Sequence, residues 1–199
     1  MHKIVVLAHP NKKSLNHAIA KIVVDTLKSN NHKVFFHDLY EEKFDPIMPT
    51  RELQLSYEPA PEIEPYCIEL QKADGIVIVH PNWWGQLPAI LKGWVDRVFM
   101  PGVVHSIPKK GEIKTDGLLT QLTALVINTY DVSLKKEIEI FKDPLDTIWK
   151  NCIFGFCEAK HCDRILFNDV YQSTESQRAA WLNQVQDKVR NMFPENKTH

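Results

Sequence analysis

The chain has 199 residues, 24 basic and 25 acidic side chains, a formal net charge of -1 and four cysteines. That length fits one domain, numbered 1–199, able to bury a substantial core without staples; the charge balance argues against nucleic acid or a membrane surface as a partner. No apolar run is long enough to span a bilayer, and Cys67, Cys152, Cys157 and Cys162 are too sparse for a disulfide framework, so a cytoplasmic, reduced protein is expected.

The first residues are too few and too lightly charged for a secretory signal. Residues 4–8 are continuously apolar and predict a strand buried on both faces, as in a parallel sheet. The run ends in His9-Pro10-Asn11-Lys12-Lys13-Ser14-Leu15-Asn16. Leu15, Ile19, Ile22, Val23 and Leu27 then mark an amphipathic helix, with Ser14 as a natural N-cap. A helix start offers free N–H groups and the positive end of the dipole, which suits a phosphate. The loop has neither Gly-x-Gly-x-x-Gly nor Gly-x-x-x-x-Gly-Lys-Ser/Thr, so it is neither a dinucleotide fingerprint nor a P-loop.

Residues 33–40 read as a second strand. Residues 41–61 are irregular, with prolines at 46, 49, 59 and 61. A helix over about 62–72, with Tyr66 and Cys67 core-facing or interfacial, leads to the third strand, Gly75-Ile76-Val77-Ile78-Val79. After it comes His80-Pro81-Asn82-Trp83-Trp84-Gly85-Gln86-Leu87, then a helix opened by Pro88 with Ile90, Leu91, Trp94, Val95, Val98 and Phe99 at helical spacing. Two tryptophans at a strand end suit a flat, partly apolar ligand better than a core, because ligands of open α/β sheets sit outside the carboxyl ends of the strands.

Residues 106–120 look like a solvent-exposed excursion. A fourth strand is expected over 122–127, ending in Asn128-Thr129-Tyr130-Asp131. Leu134, Ile138, Phe141, Leu145, Ile148, Trp149 and Cys152 form a helical stripe that Pro144 must kink or split. Cys152, Cys157, His161 and Cys162 lack zinc-ligand spacing, so reduced thiols are expected and no metal site. Residues 164–171 read as the fifth strand. Trp181, Val185, Val189, Met192 and Phe193 mark the last helix, with Ser173, Thr174 and Ser176 as available caps, and residues 194–199 as a frayed tail.

Five strands alternating with helices give a doubly wound α/β domain, and spacing alone says only that the sheet is parallel. Pro-x-x-Trp followed by Pro-Ala-Ile-Leu-Lys-Gly-Trp-x-x-Arg-Val resembles the NAD(P)H:quinone oxidoreductase family of flavodoxin-like flavoproteins, and the related potassium-efflux ancillary reductases are similar. The His-x-x-x-x-Ser-x-Asn loop resembles the same family. The resemblance covers residues 3–130 well and the remainder loosely. It implies a five-stranded sheet of order 2-1-3-4-5. It also implies a flavin, FMN or FAD, held through its phosphate by His9, Ser14, Leu15 and Asn16, against its ring by Pro81, Asn82, Trp83 and Trp84, and at its pyrimidine edge by Asn128, Thr129 and Tyr130. The family's Thr-Thr-Gly-Gly is replaced here by Asn128-Thr129-Tyr130-Asp131, which puts a glycine-dependent close approach in doubt and leaves backbone amides able to serve, and Asp131 is expected to face away from that edge. His105 stands where the family has Tyr, and its role is open between a proton donor, a polar pocket wall and an ordinary loop histidine.

The function implied is hydride transfer from NADH or NADPH through the bound flavin to a quinone-like acceptor by a ping-pong scheme, in a homodimer. No catalytic side chain is assigned. The alternative is a flavin-binding regulatory subunit docked on a membrane transporter. A third reading, a small electron-transfer flavodoxin, fits poorly with a near-neutral chain.

Overall fold

A computed structural model describes residues 1–54, 58–107 and 115–196. Five strands, β1 His2–Leu7, β2 Lys33–Asp38, β3 Gly75–Pro81, β4 Thr123–Thr129 and β5 His161–Phe167, form one parallel sheet. Its order is β2-β1-β3-β4-β5. β-Branched and leucine side chains fill the central strands because both faces are covered. Val5, Leu7, Val77, Val79, Leu125 and Ile127 point to one side, against helices α1 Leu15–Ser29 and α6 Glu175–Met192. Ile4, Val6, Ile76, Ile78, Ala124 and Val126 point to the other, against α2 Glu64–Lys72, α3 Ala89–Val98 and a π-helical run Ile148–Gly155. Each of the Val, Leu and Ile side chains, fully withdrawn from water, contributes roughly 1.5–3 kcal/mol.

The Lys-Gly-Trp-x-x-Arg run of α3 has a packing cause. A Cβ on Gly93 would lie 2.3 Å from the Cβ and carbonyl of Pro46, so only glycine admits the long loop after β2. Arg97, buried, pins that loop: Nε and Nη2 donate to Glu52 at 2.9 and 2.7 Å, and Nη1 donates to the Asp45 carbonyl at 2.8 Å. The loop itself contains a 3-10 turn, Thr50–Leu53.

Several boundaries differ from the sequence reading. β3 and β4 run on to Pro81 and Thr129, because both are paired to their ends, His80 with Asn128 and Pro81 with Thr129. β5 starts at His161 and stops at Phe167, since Asp169 is left-handed at φ 52° and opens a 3-10 turn instead. The stripe over 134–152 breaks into α4 Leu134–Glu139, α5 Pro144–Thr147 and the π-helical run. In α4 the expected face is inverted: Leu134 and Ile138 are exposed and Glu137 is buried, because its carboxylate is the acceptor for Asn82 Nδ2. Cys152 is also exposed.

The excursion after residue 105 is only partly at the surface. Residues 108–114 lie outside the described residues, but Gly117 pairs with His105 and presses on the Cys157 backbone, and Leu119 is buried. Residues 194–196 are tied down rather than frayed: Asn196 N–H donates to Asn30 O at 2.9 Å, and His32 Nε2 lies 3.0 Å from Pro194 O. Residues 197–199 lie outside the described residues.

Candidate flavin site

The chain leaves β1 toward β2 on one side, while β3 pairs on the other, so the carboxyl ends of β1 and β3 diverge. Such a switch point is where open α/β sheets form their crevice. Here it opens into a cavity of about 810 Å³, within the range of small-molecule sites. Its walls include His9, Ser14, Leu15, Asn16, Pro81, Asn82, Trp83, Trp84, Thr129 and Tyr130.

The first wall is the β1–α1 turn. Ser14 caps α1, its Oγ accepting from His17 N–H at 3.3 Å. At a helix start the Leu15 and Asn16 N–H groups have no intrahelical acceptor. His9 Nδ1 accepts from Asn11 N–H at 3.0 Å, which puts the ring proton on Nε2 and makes that nitrogen a donor. Burial, with His17 adding, lowers the His9 pKa against the opposing bond from Asn11. Lys12 pairs with Glu41, so its charge is partly answered.

The second wall is the aromatic loop after β3. Asn82 Oδ1 accepts from Gly85 N–H at 2.9 Å, and Trp83 and Gln86 bridge, so residues 82–86 close a tight turn. The turn holds Trp84 at φ 57° and Gly85 at φ 72°. A Cβ on Gly85 would also meet Pro144 at 2.9 Å. A tryptophan kept in the left-handed region and fully exposed is strained and unburied, a combination that core packing does not explain.

The third wall follows β4. Asn16 Nδ2 donates to Thr129 Oγ1 at 2.7 Å, and Asn82 N–H donates to Thr129 O at 2.7 Å, so Thr129 joins the other two walls. Tyr130 is buried; burial, with Glu137 and Asp143 adding, pushes its phenol up to about 12. Asp131 accepts from Tyr171 N–H at 2.7 Å, turning its carboxylate toward the loop after β5. Two buried polar atoms of cavity residues, Asn16 Oδ1 and Tyr130 Oη, make no hydrogen bond. Such atoms are costly without a partner, and both belong to residues of the cavity wall.

Asn128 does not line the cavity. It lies beneath the floor, in a buried chain. Arg164, side chain 1% exposed, donates through Nε to Asn128 Oδ1 at 2.8 Å and grips Asp143 at 2.6 and 2.8 Å. Asn128 Nδ2 lies 2.8 Å from His80 Nε2, which also accepts from Trp149 Nε1–H at 3.0 Å. The indole can only donate, so the His80 proton sits on Nδ1 and is given to Pro81 O at 2.8 Å. His105 is not a wall either; its Nδ1 lies 3.0 Å from Ser106 O and its ring meets Phe156 edge-on.

Asn11, Gly85 and Asp131 also line the cavity, as do Val132, Glu137, Phe141, Pro144 and Val170, which sequence reasoning missed. Glu137, 2% exposed, accepts from Asn82 Nδ2 at 2.9 Å. A glutamate inside an apolar stripe gave no signal, and the break at Pro144 was the available hint. Among the described residues no cluster of three or more His, Cys, Asp or Glu could hold a metal, and no helix is long and apolar enough to cross a membrane.

The chain is 32% identical to an uncharacterized NAD(P)H oxidoreductase of Haemophilus influenzae, over 96% of this chain and 95% of that one. It is 26% identical to the mouse ribosyldihydronicotinamide dehydrogenase [quinone], over 98% and 94%. Other relatives match over only 44–57% of their own length. The crystal structure of an FMN-dependent NADH-azoreductase from Bacillus anthracis in complex with FMN shares the fold, with a TM-score of 0.76 over 97% of this chain and 100% of that one at 14% identity. A family model described as flavodoxin-like fold matches residues 1–190, and the chain belongs to that family.

Proposed function

We propose that this protein is an NAD(P)H-dependent flavin oxidoreductase that reduces quinones or similar small acceptors. The observation that carries the reading is one cavity walled by a phosphate-ready helix start, two tryptophans and a β4 rim, with two buried polar atoms left without partners. The relatives' names as NAD(P)H oxidoreductase and quinone dehydrogenase support the same reaction class.

A flavin bound here would supply the redox chemistry, taking hydride from a nicotinamide and passing reducing equivalents to an acceptor. The protein's part is to hold and shield. His9 Nε2–H, Ser14 and the Leu15 and Asn16 amides would bind phosphate, as helix starts do. Pro81, Trp83 and Trp84 would cover the ring, while Thr129 and Tyr130 would face its polar edge. FMN is our first assignment and FAD the second. Trp84 and Phe141, exposed apolar side chains of the cavity wall, support a homodimer that covers them. Four free thiols suit a reducing, cytoplasmic setting.

The test is an absorption spectrum of the protein with FMN or FAD, followed by anaerobic NADH or NADPH. Bound flavin that bleaches with pyridine nucleotide is expected, and steady-state rates should give parallel ping-pong lines. Failure to bind either flavin, or bound flavin that stays oxidised, would overturn the reading.

A further inference from the structure

Behind the phosphate-ready turn runs a three-residue hydrogen-bond chain. Ser14 Oγ lies 3.0 Å from His17 Nδ1, and His17 Nε2 lies 3.1 Å from Asp38 Oδ2. Asp38 comes from the end of β2, and its other oxygen accepts from the Tyr40 and Glu41 N–H groups at 3.2 and 3.3 Å. The carboxylate is thereby fixed, and the His17 and Asp38 side chains are mostly buried. The remaining charged and titratable groups facing this chain, among the described residues, are His9, whose ring lies 6.3 Å from that of His17, and the Lys12–Glu41 pair beside Asp38.

Hydrogen counting fixes what each state offers to the cavity. A neutral His17 must keep its proton on Nε2, because a bare Nε2 would face the Asp38 carboxylate. Nδ1 is then an acceptor and takes the single Ser14 hydroxyl proton, so Ser14 turns a lone pair toward the cavity, which repels an anion. A protonated His17 reverses this. Nδ1–H now donates to Ser14 Oγ, whose second lone pair already accepts from His17 N–H. Both lone pairs are occupied, and the hydroxyl proton is released toward the cavity as a donor. Asp38 offsets the imidazolium charge.

We propose that Ser14, His17 and Asp38 form a proton-coupled phosphate latch, in which binding of a flavin phosphate takes up one proton from solvent onto His17. The inference rests on the cofactor reading above. Beside Ser14, the Leu15 and Asn16 N–H groups of the same helix start are free to donate. His17 thus acts through Ser14 and is a positioning residue.

The test is isothermal titration of flavin-stripped protein with FMN and with riboflavin, which lacks the phosphate, in buffers of different ionisation heat. At pH 7.5 a phosphate monoester is almost wholly dianionic, so proton uptake reports the protein. FMN should take up about half a proton or more and riboflavin none, and the FMN Kd should weaken roughly five- to tenfold from pH 7 to pH 9. In His17→Gln the uptake should vanish and the pH dependence flatten to under about twofold, with riboflavin affinity held. In Asp38→Asn the amide would donate to His17 Nε2, moving the ring proton to Nδ1, so FMN should bind without uptake. Equal uptake in wild type and His17→Gln, or FMN binding without uptake in wild type, overturns the latch. If neither flavin binds, the cofactor reading fails, and inorganic phosphate then decides the latch by itself. A His17 ring resonance that moves to its protonated position with phosphate keeps it, and one that does not move overturns it.

Discussion

Acidifying the protein from pH 7 to pH 5 should weaken the fold through His80. This ring lies beneath the cavity floor, fully buried, accepting from Trp149 and donating to Pro81 O. Burial pushes its pKa down to about 3; the bond to Pro81 opposes the shift and the Arg164 charge adds to it. In an unfolded chain an imidazole titrates near 6.5. Between about 6.5 and 3 the unfolded chain therefore binds a proton that the folded chain refuses. The stability is complete above the unfolded pKa and is lost as pH falls, at up to about 1.4 kcal/mol per unit. From pH 7 to pH 5 the loss is about 2 kcal/mol, or roughly 4–8 °C in Tm for a chain of this size. Burial also lowers His9 and His32, which act in the same direction. His37 acts in the other: burial disfavours its charge, but hydrogen bonds to Glu42 and Glu69 outweigh burial and raise its pKa, so its contribution is full at low pH and lost as pH rises. The assay isolates His80 by comparing wild type with His80→Gln, whose amide can accept from Trp149 and donate to Pro81 without titrating. Urea unfolding at pH 7, 6 and 5 should show the variant gaining about 2 kcal/mol on wild type across the series. Parallel pH slopes would refute the argument.

Three substitutions probe the rest of the site and its support. Tyr130→Phe removes a buried hydroxyl that has no partner, so flavin-free protein should melt about 2–4 °C higher while FMN binds about fivefold more weakly; a lower Tm would count against the unpaired hydroxyl. Arg164→Met strips the counter-charge from Asp143 and Asp146 and one partner from Asn128. Because Asp146 is half exposed, the cost should sit near the low end for broken buried pairs, about 3 kcal/mol by urea unfolding, and a loss under about 1 kcal/mol would show that the network is not holding the floor. Gly93→Ala forces a methyl into the Pro46 backbone; the overpacking should cost about 1–3 kcal/mol despite the better helix former, and an unchanged midpoint would mean the loop after β2 moves freely.

The fold was legible wherever one short segment carries its own instruction. Residues 4–8 and 75–79 are apolar without interruption because the sheet is covered on both faces, and Ser14 announces α1 by capping it. Where the instruction comes from a distant partner, periodicity misleads. Leu134 and Ile138 keep a helical spacing, yet α4 turns them outward, because the buried position goes to Glu137 and its bond to Asn82. His161, Cys162 and Asp163 have little strand propensity, yet pairing to Thr123, Ala124 and Leu125 makes them strand. Tertiary pairing overrides local preference at both places.

The same division runs through the site. The phosphate turn and the aromatic loop are each contiguous, so motif and mechanism could be read together from the residues. The rim and floor are assembled from pairs far apart in the chain: Asn16 with Thr129, Asn82 with Glu137, Asn128 with Arg164. None of these has a local period. After β4, where the family has glycines, the wall is built from side chains: a buried phenol, Tyr130, and Asp131, which lines the cavity while its carboxylate accepts from the Tyr171 amide.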